Sequence, residues 1–113
     1  MNCIFCKIIN QELPAIIHYE DENLLVIDDI SPKAPIHRLI IPKQHIATLN
    51  DLDSSNLPII SKMYEVAINM AKSLQLAEKG YRLVSNCNAD GGQIVYHIHI
   101  HFMAGHPLHS QLG

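Results

Sequence analysis

Apolar residues along the chain are spaced in two ways, and the change from one to the other marks out the elements. In "NCIFCKIIN" they fall at Ile4, Phe5, Ile8 and Ile9, one face of a short helix that stops before Pro14. "AIIHYED" and "NLLVIDD" are rich in β-branched and aliphatic residues and are separated by polar, acidic text, as in a strand pair joined by a turn. "SPKAP" holds two prolines in five residues and is expected to be irregular, because each lacks an N–H donor and restricts the residue before it. "HRLIIP" reads as the next strand, ended by Pro42. After the capping-rich "DLDSSNL", Ile59, Ile60, Met63, Val66, Ala67, Met70, Ala71 and Leu74 recur at spacings of three and four, which predicts one amphipathic helix ending near Gly80. "YRLVSN" and "QIVYHIHIHFM" are two further strands around the loop "CNADGG". Five strands, two helices and hairpin-compatible connections predict an α+β domain with a mainly antiparallel sheet.

Composition narrows the picture. A chain of 113 residues supports one core, so a single domain over residues 1–113 is expected. With 48% hydrophobic and 17% charged residues it should fold rather than stay disordered, and some apolar surface is free for a subunit interface. Eight Lys plus Arg in a chain of net charge −3 make no basic stripe, which argues against a nucleic-acid partner. The first residues lack a basic, then apolar, leader pattern, and no apolar run reaches membrane-spanning length, so a cytoplasmic protein without a membrane partner is expected. Three cysteines, two of them in Cys3-x-x-Cys6, are an odd number for a disulfide framework and read better as thiols or metal ligands. Cys87 is expected to be a packed or partly exposed thiol.

The candidate chemistry lies in "YHIHIHFM". On a strand, His97, His99 and His101 share one face, while Tyr96, Ile98, Ile100 and Phe102 share the other and enter the core. Alternate imidazoles stand about 6–7 Å apart along the backbone, close enough for adjacent rings to meet one ligand. Three readings fit. The histidines could be surface residues of an edge strand; two could bind a metal; or a neutral imidazole could act as a nucleophile toward phosphorus, its neighbours supplying orientation and protons. The two glycines of "NADGGQ" favour phosphate, since a backbone without side chains can approach it closely.

"GGQIVYHIHIHFMAG", joined to "IDDISPKAPIHRLIIPKQHI" upstream, resembles the histidine triad family, and within it the nucleoside-phosphoramidate hydrolase (Hint) branch. The resemblance runs from "IFCKII" through the last strand. It implies a homodimer whose two five-stranded sheets join into one of ten strands. It also implies hydrolysis of purine nucleoside 5′-monophosphoramidates to the monophosphate and an amine, with no metal needed for catalysis. His99 would then be the nucleophile carrying a covalent nucleotidyl group, His101 and His37 would complete the site, and the backbone around His97 would help fix the His99 tautomer. Asp29 matches the family's ribose ligand, and Asn86, Gly92 and Gln93 fall where it contacts phosphate. Ile4, Phe5, Ile8, Ile27, Ile30 and Leu39 match its purine slot, with Val95 beside them, although periodicity alone would assign the slot residues to the core.

In relatives that keep the cysteines, Cys3, Cys6, His45 and His97 match the ligands of a structural zinc, a closed tetrahedral set that would tie the first helix to the sheet. Two departures stand out. Ile94 replaces the serine whose hydroxyl many members place near the leaving group, and the tail "GHPLHSQLG", with His106 and His109, lacks a tryptophan that some relatives carry. A dinucleoside polyphosphate hydrolase or nucleotidyl transferase using His99 remains an alternative, as does a nucleotide-binding regulatory protein with incidental hydrolysis.

Overall fold

The computed structural model describes residues 3–108. Its elements are helix α1 (Ile4–Ile9), strands β1 (Ile17–Glu20), β2 (Leu24–Asp28) and β3 (Ile36–Pro42), helix α2 (Pro58–Ser73), and strands β4 (Arg82–Val84) and β5 (Ile100–Ala104). The five strands form one sheet in the order β1-β2-β3-β5-β4, every neighbouring pair antiparallel.

Strand alternation divides the sheet into two faces. Leu24, Val26, Ile40, Ile100 and Phe102 pack against Met63, Ala67, Met70 and Ala71 of α2. On the other side Leu25, Ile27, Leu39 and Ile41 pack against Cys3 and Phe5 of the α1 region. His37 and His101 occupy the same alternate positions as Leu39, so the histidines come out on the α1 face, at the side of the smaller cluster.

Two predicted boundaries shift. α2 ends at Ser73 rather than near Gly80. Gln75 turns into the left-handed region (φ 59), and the Leu76 N–H returns to the Ala71 carbonyl at 2.8 Å, the six-to-one bond of a Schellman stop. Leu76 thereby becomes a buried core residue, and Gly80 (φ 102) closes the turn that follows. The other shift concerns the last strand, which begins at Ile100 and not at Gln93. Ile98, Ile100 and Phe102 are buried as alternation predicts, but Tyr96 is 44% exposed. Residues 93–99 are bonded elsewhere: the Ile98 N–H donates to the Ile46 carbonyl at 2.7 Å, outside the β3–β5 ladder. Among the described residues no helix is long and apolar enough to cross a membrane.

Candidate functional site

The histidine stripe is split by burial. His97 is fully buried, whereas His99 and His101 are half-buried. His97 Nε2–H donates to the Pro42 carbonyl at 2.7 Å, which leaves Nδ1 as a bare lone pair. That lone pair faces Cys3 Sγ at 3.3 Å, Cys6 Sγ at 3.6 Å and His45 Nδ1 at 3.2 Å. Cys6 Sγ lies 3.3 Å from His45 Nδ1. Zinc bond lengths of about 2.0–2.1 Å to nitrogen and 2.3 Å to sulfur put the ligand atoms of a tetrahedral site roughly 3.3–3.8 Å apart. Four of the six donor pairs are thus near tetrahedral spacing, all four atoms lie within 4.8 Å of one another, and the His97 lone pair is aimed at the other three, a set that fits a divalent cation. Burial, and next the Cys3 thiol, raise the Cys6 pKa, so holding Cys6 as a thiolate calls for a cation beside it.

The other three imidazoles form a directed chain. The Lys33 N–H donates to His37 Nδ1 at 2.9 Å, so the His37 proton is on Nε2. His37 Nε2–H then donates to His101 Nδ1 at 2.9 Å, which leaves the His101 proton on Nε2. His99 Nδ1–H donates to the His97 carbonyl at 2.7 Å, and its Nε2 is a bare lone pair. Neighbouring rings thus present opposite functions, an acceptor on His99 and a donor on His101, with centroids 5.0 Å apart.

Asp29 follows β2. Its Oδ1 accepts the Ser31 N–H at 2.7 Å, while Oδ2 stands 3.4 Å from His37 Nε2 and 4.0 Å from His101 Nδ1. Asp29, His37 and His101 are also close enough to surround a metal. The tautomers argue otherwise: His37 spends its Nδ1 lone pair on Lys33 and its Nε2 proton on His101, so that ring has no free lone pair to offer.

Burial lowers the pKa of all these histidines below the ordinary 6.5. For His99 it outweighs the opposing pull of the His97 carbonyl and of Asp29. For His101, burial, then His99 and His37, bring it down to about 4 against Asp29. Burial also dominates at His37, where Asp29 opposes it, and at His97, where the Pro42 carbonyl does. All four are neutral at pH 7.

The loop before the stripe has its own internal logic. A Cβ on Gly91 would run into the backbone carbonyl oxygen of Cys87, and Gly92 has φ +82. Asn86 Nδ2 donates to the Gly91 carbonyl at 2.6 Å. The Gln93 side chain does not reach toward ligand space. Its Oε1 accepts the Asn88 N–H at 2.9 Å and its Nε2 donates to the Ala47 and Val95 carbonyls at 2.7 and 3.1 Å, so the buried amide staples the loop. Cys87 is a free, half-buried thiol.

Of the residues matched to the purine slot, Phe5, Ile27 and Leu39 are buried, and Ile8 and Val95 pack at the edge of their cluster. Ile4 and Ile30 are 43% and 93% exposed, so the core account that periodicity gives them fails. Ile94 is 89% exposed. His106 is exposed, with Nδ1 3.0 Å from the Pro107 carbonyl, and His109 lies outside the described residues. Sequence reasoning missed Lys33 and Pro42, whose backbone groups set two tautomers; a backbone partner leaves no mark in side-chain patterns.

Residues 2–111 match the family model described as "Scavenger mRNA decapping enzyme C-term binding". The purine nucleoside phosphoramidase of Escherichia coli K12 is 46% identical over 110 residues, covering 97% of this chain and 92% of that protein. Among solved structures, a HIT family hydrolase from Legionella pneumophila superposes with a TM-score of 0.95 at 46% identity, covering 99% of this chain and all of that one. A histidine triad protein from Clostridium difficile gives a TM-score of 0.95 at 40% identity, over 99% and 97% of the two chains.

Proposed function

Because the chain belongs to the histidine triad family, we propose that it hydrolyses purine nucleoside 5′-monophosphoramidates through a covalent nucleotidyl intermediate on His99. The observation that carries this reading is the pairing of a bare His99 Nε2 with an adjacent His101 Nε2–H, each fixed by the partner on its other nitrogen.

His99 Nε2 attacks the α-phosphorus, the P–N bond to the amine breaks, and the nucleotidyl group remains on His99. Burial keeps His99 unprotonated at neutral pH. As the new N–P bond forms, the ring becomes positive, and the His97 carbonyl and the Asp29 carboxylate both favour that charge. His101 Nε2–H points a donor at the phosphoryl oxygens. Since the His101 pKa is about 4, it acts as a hydrogen-bond donor and not as a proton source, and the departing nitrogen takes its proton from solvent. Water then attacks phosphorus, the N–P bond breaks, His99 leaves as neutral imidazole, the water's surplus proton goes to solvent, and the nucleoside monophosphate is released. Most of the acceleration is positioning and charge stabilisation.

In this reading the Asp29 carboxylate, at the edge of the imidazole chain, accepts hydrogen bonds from the ribose hydroxyls, and the exposed Ile4 and Ile30 meet the base. Exposed Ile94 offers no hydroxyl to the leaving group, consistent with a proton drawn from solvent. The Cys3, Cys6, His45 and His97 donors suit Zn2+, which would fasten α1 to the sheet and take no part in bond making. Among the described residues β1 and β4 are the outermost strands of the sheet, which suits the joining of two copies into a ten-stranded sheet, for which a solution mass near twice 12.7 kDa is expected.

Steady-state hydrolysis of adenosine 5′-phosphoramidate tests the reading. Wild type should release AMP and ammonia, and His99→Ala should lose activity by several orders of magnitude. Equal turnover by the two proteins would overturn it, as would a clear preference for dinucleoside polyphosphates.

A further inference from the structure

The nucleophile lies where the sheet has ended. The last register pair between β3 and β5 is Ile40 with Ile100, so His99 is already beyond the ladder. What positions it is the His97–Ile98 peptide group. The carbonyl of that group accepts His99 Nδ1–H at 2.7 Å, and its N–H donates to the Ile46 carbonyl at 2.7 Å, the residue after His45. The His97 ring is tied by Nε2–H to Pro42 and points Nδ1 at the two thiols and His45. Phe5, between Cys3 and Cys6 in sequence, meets both rings edge-on, with centroids 5.8 Å from His97 and 5.0 Å from His99. Three segments, α1, residues 45–46 and residues 97–99, thus converge on the nucleophile, and the atoms common to all three are the four donors of the Cys/His cluster.

We propose that this cluster is a positioning device for the nucleophile: a divalent cation held by Cys3, Cys6, His45 and His97 fixes the peptide group that aims His99 Nε2 at phosphorus, so metal occupancy sets the rate of nucleotidyl transfer. The proposal rests on His99 being the nucleophile. A staple alone would change stability and leave the chemical step untouched. A positioning cluster lowers kcat by more than it weakens nucleotide binding, because Asp29 and Ile30 on the β2–β3 side would hold the nucleotide independently of the cluster, and of the residues proposed to meet it only Ile4 belongs to α1. Removing the outer partners that orient a metal's ligands typically costs about 10- to 100-fold in metal affinity or activity, and the same scale is expected for a metal that orients the nucleophile through its ligand.

The test uses the full chain, stripped with a chelator at neutral pH, and the variants Cys6→Ser and His45→Gln, each of which keeps three donors. Cobalt(II) titration should give thiolate-to-metal absorption saturating at one equivalent per chain. Imidazole nitrogen NMR should show the single His99 tautomer, Nδ1 protonated, in metal-loaded protein and averaged His99 nitrogens in stripped protein. kcat should fall about 10- to 100-fold on stripping, with the AMP dissociation constant within about threefold, and return on adding zinc. Circular dichroism and an unchanged AMP affinity report that the stripped protein is folded; should stripping unfold it, the two variants carry the same comparison. Absence of the cobalt band overturns the proposal, as does an unchanged His99 tautomer with unchanged kcat. Full activity of His99→Ala would instead sink the nucleophile assignment, which the tautomer and metal readouts do not depend on.

Discussion

The neutral imidazole chain makes a quantitative statement about acid stability. His101 titrates at about 4 in the folded protein against 6.5 ordinarily, because burial and then the neighbouring His99 and His37 disfavour its cation. Between those values the unfolded chain binds a proton that the folded chain refuses, so stability is complete above about pH 6.5, declines as pH falls, and levels off only below about pH 4. From pH 7 to pH 5 this one group removes about 2 kcal/mol, with one pKa unit worth about 1.4 kcal/mol. His37 and His99, also lowered by burial, add to the slope in the same direction. Urea unfolding of wild type and His101→Gln, each at pH 7 and pH 5, measures the difference. Cation loss from the Cys/His cluster is common to both proteins and cancels. Wild type should lose about 2 kcal/mol more than the variant between the two pH values. Parallel losses would refute the assignment of His101 as a buried neutral donor.

Other expectations follow from single contacts. Gln93→Ala strips partners from the Ala47 carbonyl and the Asn88 N–H, and should lower stability by about 1–3 kcal/mol in the same urea assay. Gly91→Ala must move the loop away from the Cys87 backbone, so AMP affinity measured by calorimetry should fall while the thermal midpoint changes little, the loop being exposed. Asp29→Asn removes the carboxylate that favours positive charge on His99 and should lower kcat as well as weaken nucleotide binding; a change in KM alone would confine Asp29 to the ribose.

How far the sequence could be read depends on which interactions carry each feature. The apolar spacing in "NLLVIDD" and "HRLIIP" placed β2 and β3 well, because side-chain burial decides those strands. The end of α2 was misplaced because Gln75, not a glycine, takes the left-handed turn, and the pull of Leu76 into the core is a tertiary effect. The stripe was recognised as a face, yet strict alternation hid that residues 93–99 bond to the segment at Ile46 and Ala47 instead of to a strand. The resemblance places Gln93 where the family contacts phosphate; its side-chain amide is bonded to backbone groups that only folding brings near, which the sequence does not show. The unequal tasks of His97, His99 and His101 emerge from which nitrogen each ring spends on its neighbour, information that the spacing of residues does not contain.

The central claim is that His99 Nε2 becomes covalently bonded to the nucleotide. Rapid acid-free quenching of protein mixed with adenosine 5′-phosphoramidate, followed by intact-mass and peptide mass spectrometry, tests it directly. An adenylyl adduct on the peptide bearing His99, formed and lost at rates compatible with turnover and absent in His99→Ala, is the expected result. Steady turnover with no adduct at any time, or an adduct confined to another histidine, would contradict the account.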